Sequence, residues 1–138
     1  MPESKSLRSN SVLFWLVALL AAGIIFIGVR FLISPAAGAE GFGVPVSGDG
    51  SSAYLWAKGT RDTVSGLVGL AFLWMGVSRR VLGTYLAVVA LVPVGDLINV
   101  LLNRGIANPT ALIIHGTTAV SMIVIALFLL AGQPKQKH

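Results

Sequence analysis

Cysteine is absent from the 138 residues. This excludes disulfides, thiolate metal sites and CxxC redox chemistry, and it leaves the redox compartment open. Charge is scarce as well: 11% of residues are Asp, Glu, Lys or Arg, against about 25% in an ordinary soluble domain. Of the two histidines, His138 lies in the polar tail, so a metal would have only His115 and carboxylates, and no metal site is expected. What fills the chain is apolar, 55% of it hydrophobic, in blocks long enough for the about 20 helical residues that cross a bilayer. The net charge of +5 does not mark a nucleic-acid binder. The basic residues sit at the ends of apolar blocks rather than along one polar face. These features predict a polytopic membrane protein of one domain.

The first apolar block runs from Val12 to Ile33 and is broken only by Arg30. Its uninterrupted part, Val12 to Val29, exceeds the about 7–15 residues of a signal-peptide core. It is therefore expected to stay as a helix despite the small-residue run Ala37 to Ala39. Pro35 and the glycines of "SPAAGAEGFGVPVSGDGSS" predict a loop of about twenty residues, long enough to be functional. The second span lies within Ala53 to Ser78, and a hairpin at Arg79 and Arg80 leads to the third, Val81 to Leu102. The turn "NRGIANP" leads to the fourth, about Thr110 to Ala131. The expected fold class is all-α, an integral membrane four-helix bundle.

Cationic side chains favour the cytoplasmic side. Lys5 and Arg8 precede span one, Arg79 and Arg80 join spans two and three, and Lys135 and Lys137 follow span four. An even number of spans puts all six on one side, against Arg104 alone in the opposite loops. N and C termini are thus expected to be cytoplasmic, with Glu40, Asp49 and the long loop outside. Trp15, Trp56 and Trp74 read as interfacial or lipid-facing aromatics.

Lys58, Arg61 and Asp62 interrupt an otherwise apolar span. The uncharged part, Thr63 to Ser78, covers only about 24 Å of the about 30 Å of hydrocarbon, so the helix must reach back through them. Asp96 and His115 lie in spans three and four, each about 9 Å below the outer boundary by helical rise, and Arg30 is near the outer end of span one. Ionisable groups on four helices thus fall in the same outer half. Lys58, Arg61, Asp62, Ser65 and Gly69 follow helical spacing, as do Asp96, Asn99 and Asn103, and His115, Thr118 and Met122. Such stripes turn inward in a bundle, and Ser65, Gly66, Gly69, Gly95 and Gly116 permit close helix approach. A charge at mid-helix costs about 2.5–3.5 kcal/mol on insertion scales. Arg30, Lys58 and Arg61 against Glu40, Asp62 and Asp96 would allow complete pairing. Pro93 removes a backbone hydrogen bond next to Asp96 and predicts a kink.

Several readings stay open. In the simplest, Lys58 snorkels to water and Asp62 complements a helix start; in another, the charges form an ionic knot that fixes helix register. In the third they line a polar pocket open to the outer side. A pocket would bind an amphipathic lipid or quinone-like molecule from the outer leaflet. Its candidate ligand-binding residues are Arg30, Glu40, Lys58, Arg61, Asp62, Asp96, Asn99 and His115, with Glu40 and "GFGVP" (Gly41 to Pro45) as a lid. The alternative is an enzyme of isomerase or cyclase type, with His115 and Asp96 as a proton-transfer pair. Dimeric multidrug export is disfavoured, because span one carries Arg30 and no acid. No cofactor is named by these residues. The expected partners are the bilayer, a second copy or a membrane complex, not nucleic acid, and the expected location is a bacterial plasma membrane.

"GVRFLISPAAGAEGFGV" (Gly28 to Val44) and "WAKGTRDTVSGL" (Trp56 to Leu67) resemble a family of small four-helix membrane proteins catalogued as a domain of unknown function (4267). The likeness covers about Leu13 to Leu130 and extends loosely to the DoxX-like group, which includes subunits of membrane redox complexes. It implies four helices and an integral membrane location, and no established activity.

Overall fold

The structure is a computed structural model that describes residues 6, 7, 9, 11–43 and 51–131. Lys5, Arg8, Val44, Pro45, Asp49, Lys135, Lys137 and His138 lie outside the described residues. Among those described, all regular structure is helical apart from a single bridge between Ser6 and Ser78. The helices are α1 (Val12–Ile33), α2 (Pro35–Phe42), α3 (Ser51–Trp74), α4 (Arg79–Val89), α5 (Leu91–Arg104) and α6 (Pro109–Ala131). Three segments are long and apolar enough to cross a membrane: Val12–Ile33, Arg79–Arg104 and Pro109–Ala131. The 24 residues of α3 would rise about 36 Å, but they include Lys58, Arg61 and Asp62.

The helix ends follow local chemistry. Ser11 accepts the Phe14 N–H at the start of α1, and Ser78 accepts the Val81 N–H at the start of α4. Asn108 accepts the Ala111 N–H, and Pro109 opens α6, where its missing N–H removes nothing. The turn between α3 and α4 therefore falls at Met75–Ser78, with Gly76 at φ +61°. Arg79 and Arg80 begin the next helix rather than forming the hairpin. Arg79 donates to the Phe128 carbonyl in the last turn of α6, 3.4 Å away.

Two expectations are corrected in the connecting segments. The stretch after Ser34 is not a continuous loop, because Pro35–Phe42 is helical. Pro35 fits the first turn, the alanines favour helix, and Gly43 ends it in the left-handed region at φ +88°. Gly41 and Phe42 accordingly belong to a helix, not a lid. The third apolar segment breaks at Ala90 into α4 and α5. Pro93 cannot donate to the Val89 carbonyl and its ring crowds that turn, which accounts for the break.

Packing between α1 and α3 is backbone to backbone. A Cβ added at Gly28 would stand 2.5 Å from the Thr63 nitrogen and 2.7 Å from the Gly59 oxygen. One added at Gly66 would stand 2.6 Å from the Ala21 oxygen. Pairing Gly28 with Gly59 and Ala21 with Gly66 also makes the two helices antiparallel. Close contact of this kind yields dispersion and packing energy that lipid tails cannot outcompete. Gly95 and Gly116, expected to serve the same purpose, have nothing within 4 Å of an added Cβ.

Burial is inverted relative to a soluble protein. Asp62 and Asp96 are buried, whereas Phe26, Trp74 and Leu102 are among many large apolar side chains that are exposed. One apolar core, including Val17, Leu82, Leu86, Met122 and Leu129, fills the half of the bundle nearest Ser78. A smaller one of Phe31, Ala39, Phe42 and Leu55 closes the other end under α2. The charged residues lie between them.

Replacing Gly28 with Val is expected to force α1 from α3 and lower stability by about 1–3 kcal/mol, the usual range for overpacking. Gly95→Ala, into open space, is expected to raise it by up to about 1 kcal/mol through helix propensity. Thermal unfolding of both variants in detergent checks the pair. Equal behaviour would mean that the α1–α3 contact does not carry the packing described.

Candidate functional site

The site starts from the turn spacing of α3. Lys58 and Asp62 are one turn apart, so the Lys58 ammonium reaches Asp62 Oδ2 at 2.8 Å. The same ammonium reaches Asp96 Oδ2, on α5, at 2.8 Å. Arg61 closes the cluster, with Nε 2.9 Å from Asp62 Oδ1 and Nη2 3.3 Å from Asp96 Oδ2. Two cations and two carboxylates thus tie α3 to α5. The Lys58, Asp62 and Asp96 side chains are 12%, 7% and 12% exposed, while that of Arg61 is 42% exposed. Burial and four mutual contacts make this a charge-assisted network rather than a set of surface pairs.

Aromatic rings complete the surroundings of Lys58. Its Nζ lies 5.1 Å from the Phe31 ring centre and 4.8 Å from that of Phe42, close enough for cation–π attraction in a desolvated setting. Phe31 comes from α1 and Phe42 from the last residue of α2, and their rings meet edge to face at 6.4 Å. Gly38 lets α2 settle on Phe31, since a Cβ there would stand 2.6 Å from the ring. Lys58 is therefore enclosed by two carboxylates and two rings instead of extending to water.

His115, on α6, meets the Phe42 ring edge to face at 5.1 Å. Its Nε2 is 3.3 Å from the Phe42 carbonyl oxygen, an acceptor at a helix C-terminus without an intrahelical partner. A carbonyl can only accept, so in this contact Nε2 carries the hydrogen and donates it. His115 makes no hydrogen bond to Asp96 among the described residues; the Asp96 oxygens are held by Lys58 and Arg61.

A cavity of about 180 Å³ lies beside the cluster. Arg30, Lys58, Asp62, Ser65, Asp96, His115 and Thr118 give it a polar side, and Ile24, Ile27, Val89, Pro93 and Met122 contribute to an apolar one. The break at Ala90 brings Val89, Val92 and Pro93 to its wall. A groove of about 440 Å³ between α1 and α6 adjoins it, the two sharing Ile24, Ile27 and Thr118. Leu16, Leu19, Gly23, Val124 and Ile125 line the rest of that groove. Hydroxyls near the cavity are satisfied within their own helices: Ser65 donates to the Arg61 carbonyl and Thr118 to that of Ile114, both at 2.8 Å. Tyr85 of α4 donates to the Ser65 carbonyl.

Of the eight candidate residues, Lys58, Arg61, Asp62 and Asp96 come together directly, and His115 joins them across Phe42. Arg30 lines the cavity but is exposed and makes no ion pair among the described residues. Glu40 is exposed on α2, lines no part of the cavity and makes no ion pair among the described residues. Asn99 faces outward and accepts from Asn103 at 2.7 Å. The inward stripe on α5 therefore ends with Asp96. Phe31 and Phe42 were missed, because a segment read as loop gave Phe42 no direction. The available signal was the helix-forming run Ala36–Ala39 between Pro35 and the terminating Gly43.

Residues 21–129 match the family described as Domain of unknown function (DUF4267). The chain belongs to that family. Comparison with curated proteins and with solved structures gives no match. The DUF4267 match takes in every charged residue of the cluster, both aromatic rings, His115 and the whole cavity lining.

In this DUF4267 member, Asp96→Asn leaves the largely buried Lys58 against one carboxylate, with Arg61 partly exposed beside it. It is expected to cost about 3–5 kcal/mol, as breaking a buried pair does. Lys58→Met combined with Asp96→Leu keeps the Arg61–Asp62 pair and is expected to recover most of that loss. The measurement is thermal unfolding in detergent, and a single variant as stable as wild type would mean the cluster is not a buried network.

Proposed function

We propose that the protein is a multi-pass protein of a bacterial plasma membrane, with four spanning segments and both termini cytoplasmic. Its function is to bind an amphipathic small molecule, a lipid or quinone-like species. The cavity receives the polar end, and the groove between α1 and α6 receives the chain from the surrounding bilayer. The observation that carries this reading is that the cavity and the groove share Ile24, Ile27 and Thr118. Polar groups converge on a largely apolar cavity, the usual form of a small-molecule site.

The topology rests on charge placement. Arg79 and Arg80 lie at the opposite end of the bundle from the cluster, α2 and Arg104, consistent with a cytoplasmic Arg pair and an outward-facing site. The α3 segment is able to cross because its three charges are compensated by Asp96 and by one another. Proton-transfer catalysis has less support: His115 Nε2 and the Asp96 carboxylate are each engaged elsewhere.

Native mass spectrometry of gently extracted protein is the test. A single small-molecule adduct is expected, lost in Ile27→Trp, which places a bulky ring where groove and cavity meet, while the melting temperature stays unchanged. Bare protein in every preparation, with no stabilisation by added membrane lipid extract, would sink the binding reading.

A further inference from the structure

Among the described residues, the charged groups that line the cavity are Arg30, Lys58, Asp62 and Asp96, and Arg61, outside the lining, adds a second cation to the two carboxylates. The four inner charges satisfy one another, so the surplus is the positive charge of Arg30. Its guanidinium lies at the cavity wall, with Nη1 3.7 Å from the position of an added Gly41 Cβ, and it makes no ion pair among the described residues.

We infer that the ligand is a single-chain monocarboxylate of fatty-acid type, its carboxylate on Arg30 and its chain in the groove between α1 and α6. This deepens the binding reading above and rests on it. Charge complementarity selects an anion over a neutral quinone or alcohol, because the site has one unanswered cation and an arginine matches a carboxylate in shape. A cavity of about 150 Å³ takes one benzene molecule, so the 180 Å³ here has room for a carboxylate and the first part of a chain. The groove supplies an apolar bed for the remaining methylenes, broken only by Thr118 and Ser121.

The experiment uses the full chain in mild detergent with palmitate, methyl palmitate and phosphatidylglycerol as probes, followed by thermal shift and native mass spectrometry. Palmitate is expected to bind saturably, with the methyl ester about tenfold or more weaker, the scale of one charge-assisted hydrogen bond. Arg30→Gln, at an exposed position without an ion pair, is expected to abolish that preference, and Arg30→Lys to keep part of it. Gly23→Leu places a side chain in the groove, where an added Cβ meets nothing within 4 Å, and is expected to weaken palmitate and ester alike. Equal binding of acid and ester, or preferential binding of phosphatidylglycerol, overturns the carboxylate assignment while leaving the binding reading standing. Binding of none of the three, together with no co-purifying adduct, overturns both.

Discussion

The constraint on which the structure turns is that Lys58, Asp62 and Asp96, on α3 and α5, lie largely out of reach of water, with the partly exposed Arg61 at their edge. Lys58 alone on α3 would be expensive in hydrocarbon, and so would Asp96 alone on α5. Together with Asp62 and Arg61 they form a closed set in which each carboxylate meets both cations. Such a set has value only if the helices hold it in register, and the rest of the fold supplies that register. The glycines of α1 and α3 bring Phe31 against Lys58. The α2 helix brings Phe42 to the other side, and His115 holds the end of α2 through the Phe42 carbonyl.

Proline and glycine set geometry that charge alone could not. The break at Ala90 follows from Pro93 and puts Asp96 on a separate helix, α5, with its own direction. Gly43 ends α2 so that Phe42 is its last turn, and a Cβ there would stand 2.4 Å from the Ala111 side chain. Its replacement would disturb both the left-handed backbone and the seat of α2 on α6. Backbone conformation at a few positions thus decides where the aromatic rings stand around the ammonium.

Much of this was legible beforehand, and the exceptions have physical causes. The apolar blocks and the helical spacing of Lys58, Arg61, Asp62 and Ser65 locate the helices and one inward stripe, because hydrophobic periodicity is a local property. The common depth of Asp96 and His115 follows from helical rise. Their partners do not, since pairing depends on helix rotation. Asp96 turned to Lys58 and Arg61, and His115 turned to a carbonyl of a helix read as loop. Asn99 obeys the same spacing as Asp96 yet faces outward, because a neighbouring Asn103 satisfies it without any partner helix. The close glycines differed as well: Gly28 and Gly59 face each other across α1 and α3, whereas Gly95 and Gly116 face open space. Sequence spacing alone does not distinguish these cases.

A purely structural lock is the strongest competing account of the cluster, since a buried polar network can fix helix register without binding anything. Such a lock, however, is best served by tight packing, because a gap beside buried charges forfeits dispersion contacts and strengthens no ion pair. Here the cluster borders a cavity of about 180 Å³, and a groove between α1 and α6 shares part of its lining. An open groove costs little when a chain-like molecule from the surrounding lipid occupies it, and it is hard to account for in a lock whose only task is rigidity. The cavity beside the buried carboxylates is therefore the feature that favours a site over a knot.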